Sequence, residues 1–195
     1  MKYIVGIDEV GRGPLAGPVT VGIVACEQSL YKKLKKNRRL PPLGKDSKKL
    51  SEKNREVYSK YLKYISVTYA VIHVSNKIID AKGLSFAIKF AIDKGIKKLK
   101  LNPKNCEVKL DGGLRAPLEF KNQKTIIKGD EKVKIIAWAS ILAKVSRDNL
   151  MKKISKKYPE YNLHAHKGYG TLFHRTAIKQ YGLSPLHRRT FCTRL

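Results

Sequence analysis

The chain has 195 residues and a formal net charge of +27, with 42 Lys and Arg against 15 Asp and Glu. That excess goes far beyond what solubility needs and points to a polyanion, with nucleic acid ahead of an anionic membrane, unless it reflects only a lysine-rich genome composition. Three cysteines without Cys-x-x-Cys spacing support neither a zinc site nor a disulfide framework, and no apolar run reaches membrane-spanning length.

The first residues read as a strand without a charged leader, so the expectation is a soluble, cytoplasmic protein without a signal peptide. Tyr3 to Ile7 is a short β-branched run that reads as a buried strand. It leads into two adjacent acids, Asp8 and Glu9, then a Gly11-Arg12-Gly13 turn. Adjacent carboxylates repel, and a divalent cation with oxygen ligands would relieve that repulsion. Gly11 and Gly13 allow another backbone to come close, and Arg12 suits a phosphate. The alternative is an ordinary polar turn.

Val19 to Ala25 reads as an antiparallel neighbour of the first strand, because the connection is short. Leu30 and Leu34 suit a short basic helix stopped by Pro41-Pro42. Lys45 and Lys48 can touch phosphates or belong to a solvated basic loop. Ser51 caps an expected helix to about Tyr64, and Ile65 to Val74 alternates as a third strand. His73 at its end is read as structural. Ser75 opens a short helix. A longer one runs from about Leu84 to Leu99, with Ala87, Ile88, Ala91, Ile92 and Ile96 on its core face.

Cys106 to Leu110 reads as a fourth strand ending at Asp111, and Thr125 to Lys128 as a fifth ending at Asp130. Ile135 to Val145 is too uniformly apolar for an exposed helix. It reads as a buried helix that continues to about Lys157 and stops before Pro159. The tail carries His164, His166, Tyr169 between Gly168 and Gly170, a short helix to about Tyr181, and His187-Arg188-Arg189. No repeat or linker interrupts the chain, which reads as a single domain over 1–195.

Six ordered blocks resemble one family. Asp8-Glu9-Val10-Gly11-Arg12-Gly13-Pro14-Leu15-Ala16-Gly17-Pro18-Val19 is similar to the signature of ribonuclease HII. So are Asp46-Ser47-Lys48-Lys49-Leu50, Leu110-Asp111-Gly112, Lys128-Gly129-Asp130, the run Ala139 to Val145 with Arg147-Asp148, and His166-Lys167-Gly168-Tyr169-Gly170-Thr171. The resemblance implies an α/β, ribonuclease H-like fold: a mixed five-stranded sheet flanked by helices, with a helical C-terminal segment from about 160 to 195. It implies a metal-dependent endonuclease that cuts RNA in RNA/DNA hybrids and cuts 5′ to a ribonucleotide embedded in duplex DNA, leaving 3′-hydroxyl and 5′-phosphate ends.

By position, the resemblance makes Asp8, Glu9, Asp111 and Asp130 the catalytic, metal-binding carboxylates. Gly11, Arg12, Gly13 and Tyr169 become substrate contacts, with Tyr169 stacking on a sugar at the RNA–DNA junction; Lys45 joins them on residue type alone, as a candidate phosphate contact. Mg2+ or Mn2+ is the expected cofactor, in a two-metal arrangement with ions about 4 Å apart. Nucleic acid is the expected partner, with no membrane, no obligate protein partner and a monomeric state. Trp138 and the residues before His166 depart from the family pattern. Asp148 competes for a ligand role, but an ion pair on its own helix is the simpler reading. Two other readings are a resolvase-type nuclease and a non-catalytic nucleic-acid-binding protein of ribosomal type. The latter explains the charge but not the separate acids.

Overall fold

The computed structural model describes residues 2–41, 50–65 and 67–193. β1 (Tyr3–Val10) and β2 (Val19–Glu27) pair antiparallel, with Tyr3 opposite Glu27 and Val10 opposite Thr20. β3 (Thr68–Val74) joins β2 antiparallel, β4 (Cys106–Asp111) runs parallel to β1, and β5 (Gln123–Ile126) runs parallel to β4. The order β3-β2-β1-β4-β5 makes the expected mixed five-stranded sheet.

The helices are α1 (Gln28–Leu34), α2 (Glu52–Tyr64), α3 (Asn76–Lys82), α4 (Leu84–Lys98), α5 (Gly129–Lys132), α6 (Lys134–Ser155), α7 (Leu163–His166) and α8 (Leu172–Tyr181). Ser51 caps α2 as expected, its hydroxyl accepting from the Asn54 amide at 3.2 Å. None of the described helices is long and apolar enough to cross a membrane.

Alternation along β1 and β2 sorts side chains to two faces. Val5, Ile7, Val21 and Ile23 meet α4 through Ala87, Ile88, Ala91 and Ile92. Ile4 and Val24 turn the other way, into a cluster with Ile135, Ile136, Trp138, Ala139 and Leu142 of α6. On that second face two strand positions are glycine. A Cβ at Gly6 would run into the Ile135 carbonyl, and one at Gly22 into the Ala139 carbonyl. α6 therefore rests its backbone directly on the sheet. A third cluster, built on Ala16, Met151, Tyr161, Leu163, Ala177 and Ile178, fastens the C-terminal segment to α6 and to the loop after β1.

Four expectations shift. β3 starts at Thr68 and not at Ile65, which is the C-cap of α2, its amide donating to the Tyr61 carbonyl. β1 does not stop at Ile7 but continues to Val10, because β2 goes on pairing with Asp8, Glu9 and Val10. β5 ends at Ile126, and Asp130 lies in the single turn of α5, which Lys128 enters with φ 55°. α1 ends at Leu34, well before the prolines. Trp138 is fully buried, its ring edge-on to Tyr31 at 5.6 Å.

Candidate active site

The parallel pairing of β1 with β4 ends at Ile7 opposite Leu110, while β2 continues. Beyond that last pair the two parallel strands deliver Asp8, Glu9 and Asp111 to the same sheet edge. Alternation sends Asp8 to the α6 face, where only 4% of it is exposed, and Glu9 to the opposite face. The same rule puts Asp111 on the face of Asp8, since Val108 and Leu110 join the α4 side.

The electrostatics are those of carboxylates awaiting a counter-charge. Burial drives the Asp8 carboxyl well above its ordinary pKa; a hydrogen bond with the Ser140 side chain opposes this, and the charges of Glu9 and Asp111 add to it. Burial raises Glu9 too, with Arg12 holding it down and Asp111 pushing it up. Glu9 Oε1 accepts from Arg12 Nη1 at 2.8 Å, but buried Oε2 has no hydrogen-bond partner among the described residues. Asp111 Oδ1 accepts from the Gly129 amide at 2.6 Å, which ties β4 to the first turn of α5 one residue before Asp130.

Among the described residues, no three His, Cys, Asp or Glu side chains stand in an arrangement that already closes on a metal ion. Glu9 is drawn toward Arg12 and Asp111 toward Gly129. The donor set nonetheless fits a hard divalent cation. It consists of carboxylate oxygens within one another's field, one of them buried and unpartnered.

Beside these acids lies the glycine turn. Gly11 is buried with φ +89°, and a Cβ there would collide with the Arg147 side chain, so only glycine fits. Arg12 and Gly13 are exposed. The Gly168 carbonyl accepts from the Leu15 amide at 2.8 Å and from the Ala16 amide at 3.3 Å, docking the Tyr169 segment against the turn. Tyr169 is 41% exposed, and its Cε1 lies 4.0 Å from where a Gly13 Cβ would stand. It is thus a surface ring over the turn and not a core anchor. Its carbonyl is held by His174 Nδ1 at 2.9 Å, and His174 Nε2 meets His187 Nε2 at 3.1 Å.

The structure therefore brings Asp8, Glu9, Asp111, Gly11, Arg12, Gly13 and Tyr169 into one neighbourhood, with Asp130 one residue past the amide that Asp111 grips. Lys45 lies outside the described residues. Asp148 pairs with Lys144 at 3.0 Å on the same helix, as expected. His73 bridges Thr20 Oγ1 at 2.8 Å and Ser146 Oγ at 3.0 Å, a structural tie between β2 and α6.

The sequence reading names two further residues without giving them a role. Arg147 and Arg188 are both fully buried, and both donate to carbonyls of the loop between β1 and β2. For Arg147 a signal existed, since it sits four residues after buried Ala143 and four before buried Met151, on the inner face of α6. Arg188 looks like one more cation in a basic tail, and nothing local marks it.

A family model described as Ribonuclease HII matches residues 5–194. The chain is 44% identical over 188 residues to a Ribonuclease HII of Endomicrobium trichonymphae, covering 96% of this chain and 84% of that one. It is 43% identical over 194 residues to a Ribonuclease HII of Clostridium beijerinckii, covering all of this chain and 69% of that one. Among solved structures it is similar to the ribonuclease H2 of Pyrococcus horikoshii, with a TM-score of 0.74, 26% identity, and coverage of 97% and 95% of the two chains.

Proposed function

The chain belongs to the ribonuclease HII family and is a ribonuclease H, an endonuclease; we propose that it cleaves the RNA strand of RNA/DNA hybrids and cuts 5′ to single ribonucleotides in duplex DNA, in a reaction that needs divalent cations. The observation that carries this reading is the convergence of buried Asp8 with Glu9 and Asp111 at a sheet edge, beside an exposed glycine turn under an exposed tyrosine ring.

In this reading Asp8, Glu9, Asp111 and Asp130 hold Mg2+ or Mn2+. When bound, such ions polarise phosphoryl oxygens, lower the pKa of water and support the leaving oxygen. The rest is done by the chain. The acids cluster where burial and mutual repulsion disfavour their bare charges, so cation binding relieves an existing strain. Arg12, exposed and anchored through Glu9, is placed to meet a phosphate. The Gly11–Gly13 backbone reads the 2′-hydroxyl, the group that separates RNA from DNA. Tyr169 stacks on the sugar at the junction and holds the scissile bond in register, and Lys45 meets the backbone. The wider basic surface supplies affinity that does not depend on base sequence.

The test is a labelled DNA duplex with one ribonucleotide, incubated with Mg2+, Mn2+ or chelator. We expect one cut 5′ to the ribonucleotide, giving 3′-hydroxyl and 5′-phosphate ends, in either metal and none with chelator. Asp130→Asn should bind the duplex but cut it poorly. Absence of cutting in both metals refutes the reading.

A further inference from the structure

The exposed side of the Gly11–Gly13 turn is set from behind by buried charge. Arg188 Nη2 donates to the Gly11 carbonyl at 2.7 Å, Nη1 to the Arg12 carbonyl at 2.9 Å, and Nε to the Gly17 carbonyl at 3.0 Å. Arg147 donates from Nε to Pro18 at 2.9 Å, from Nη2 to Ala16 at 3.3 Å, and from Nη1 to Lys167 at 3.0 Å. The two guanidiniums thus hold most of the loop's carbonyls inward and tie the loop to the segment that carries Tyr169.

A trans peptide is planar, so its C=O and N–H point in opposite directions, and no cis bond occurs among the described residues. The Gly11 carbonyl shares a peptide unit with the Arg12 amide, and the Arg12 carbonyl shares one with the Gly13 amide. Drawing both carbonyls onto Arg188 therefore turns both amides away from it. Arg12 and Gly13 are the exposed residues of the turn, and the Tyr169 ring lies over Gly13. A cation on the carbonyl also polarises the peptide and strengthens the opposite N–H as a donor.

We propose that Arg188, braced by Arg147, is the positioning residue through which this turn tells ribonucleotide from deoxyribonucleotide: it aims and polarises the Arg12 and Gly13 amides at a 2′-hydroxyl. This rests on the functional reading above and assigns the discrimination to a residue that does not touch substrate. Burial lowers the Arg188 pKa only to about 10, so the charge persists at neutral pH. A plain staple would behave differently, because losing it would weaken binding of any duplex alike.

The experiment measures binding of two duplexes of identical sequence, one with a single ribonucleotide and one all DNA, to the unmodified protein, Arg188→Lys and Arg188→Met. Melting temperatures are taken alongside. Lysine keeps the charge, a donor and the buried stem but cannot span three carbonyls, whereas methionine leaves all three without a donor and is the harsher test of the fold. We expect Arg188→Lys to lose about tenfold of the preference for the ribonucleotide duplex, the value of one or two hydrogen bonds, with affinity for all-DNA duplex unchanged. Arg188→Met, where folded, should lose more. Undiminished preference in folded Arg188→Lys, or an equal fall for both duplexes, overturns the role. Cleavage of a long hybrid by the unmodified protein is the separate control: its failure sinks the functional reading, whereas failure of the Lys variant alone sinks only the positioning role.

Discussion

Acidification should destabilise the fold through His174, whose contact with His187 does not survive a second ring proton. The hydrogen bonds around His174 fix its neutral form. Nδ1–H donates to the Tyr169 carbonyl at 2.9 Å, while Nε2 accepts from His187 Nε2–H at 3.1 Å. His187 is held in that tautomer because its Nδ1 accepts from the Ser184 amide at 2.9 Å. A proton added to His174 must enter at Nε2, facing another N–H. Burial is the largest cause that pushes its pKa down from 6.5, to about 4, and the neighbouring His166 and His187 add to it. The unfolded chain thus takes up this proton near pH 6.5 and the folded chain only near 4. Stability from this residue is complete above pH 6.5 and drains away as the pH falls to about 4. The full difference corresponds to about 3 kcal/mol at 1.36 kcal/mol per pH unit. For a chain of this size that is a fall in Tm of roughly 6–12 °C. The assay is Tm against pH for the unmodified protein and for His174→Gln, which can still donate to a carbonyl but does not titrate. The variant should show a shallower slope between pH 6.5 and 4, after subtraction of the slope that other groups share. Parallel curves over that window would refute the reasoning.

Other outcomes follow from the same geometry. Asp8→Asn removes a buried charge from the field of Glu9 and Asp111, so the metal-free variant should melt a few degrees higher than the unmodified protein while cleavage is lost. Thermal melts with and without Mg2+ check this, and a lower metal-free Tm would count against it. Tyr169→Ala should remain folded and still bind hybrid, yet lose most cleavage at a single ribonucleotide, because a positioning contact acts on rate more than on affinity. Tyr169→Phe should keep more activity, and full activity in the alanine variant would return the ring to a passive role. Gly22→Ala should destabilise by at least about 1–3 kcal/mol, since the added methyl meets the Ala139 carbonyl and overpacking in a close-packed interior costs that much. Denaturant unfolding measures it, and an unchanged midpoint would mean α6 does not rest on the sheet as described.

Much of the fold could be read locally. β-branched runs marked β1 and β2, alternation of Cys106, Val108 and Leu110 with polar residues suits β4, the Ser51 cap marked α2, and the apolar spacing from Ala87 to Ile96 marked the buried face of α4. The end of β1 could not be read this way. Asp8 and Glu9 are poor strand residues in isolation, and it is pairing with Gly22 and Val21 that extends the strand through them. The same limit hid the turn at Asp130, where left-handed Lys128 starts a helix that no periodicity announces. The glycines at 6 and 22 carry no local message either, since their reason is the carbonyls of a helix more than a hundred residues away. Within the candidate site, the acids and the glycine turn were visible as residue types. Which groups hold the turn in shape was not, because carbonyls bound by distant arginines leave no mark on the loop's own sequence.

The separation between Arg188 and the turn it holds has a consequence for the newly made chain. Gly11 and Arg188 are 177 positions apart. At about 5–20 residues per second, translation delivers the arginine roughly 10–35 s after the glycine. Throughout that interval the strands bearing Asp8 and Glu9 can pair, but the carbonyls of the turn have no guanidinium to meet. The growing polypeptide spends those seconds on a ribosome, among the densest concentrations of RNA in a cell. The turn beside Asp8 and Glu9 can take its final shape only after Arg188 has been made and has reached the Gly11, Arg12 and Gly17 carbonyls, so the earliest loop of the chain is among the last to be completed.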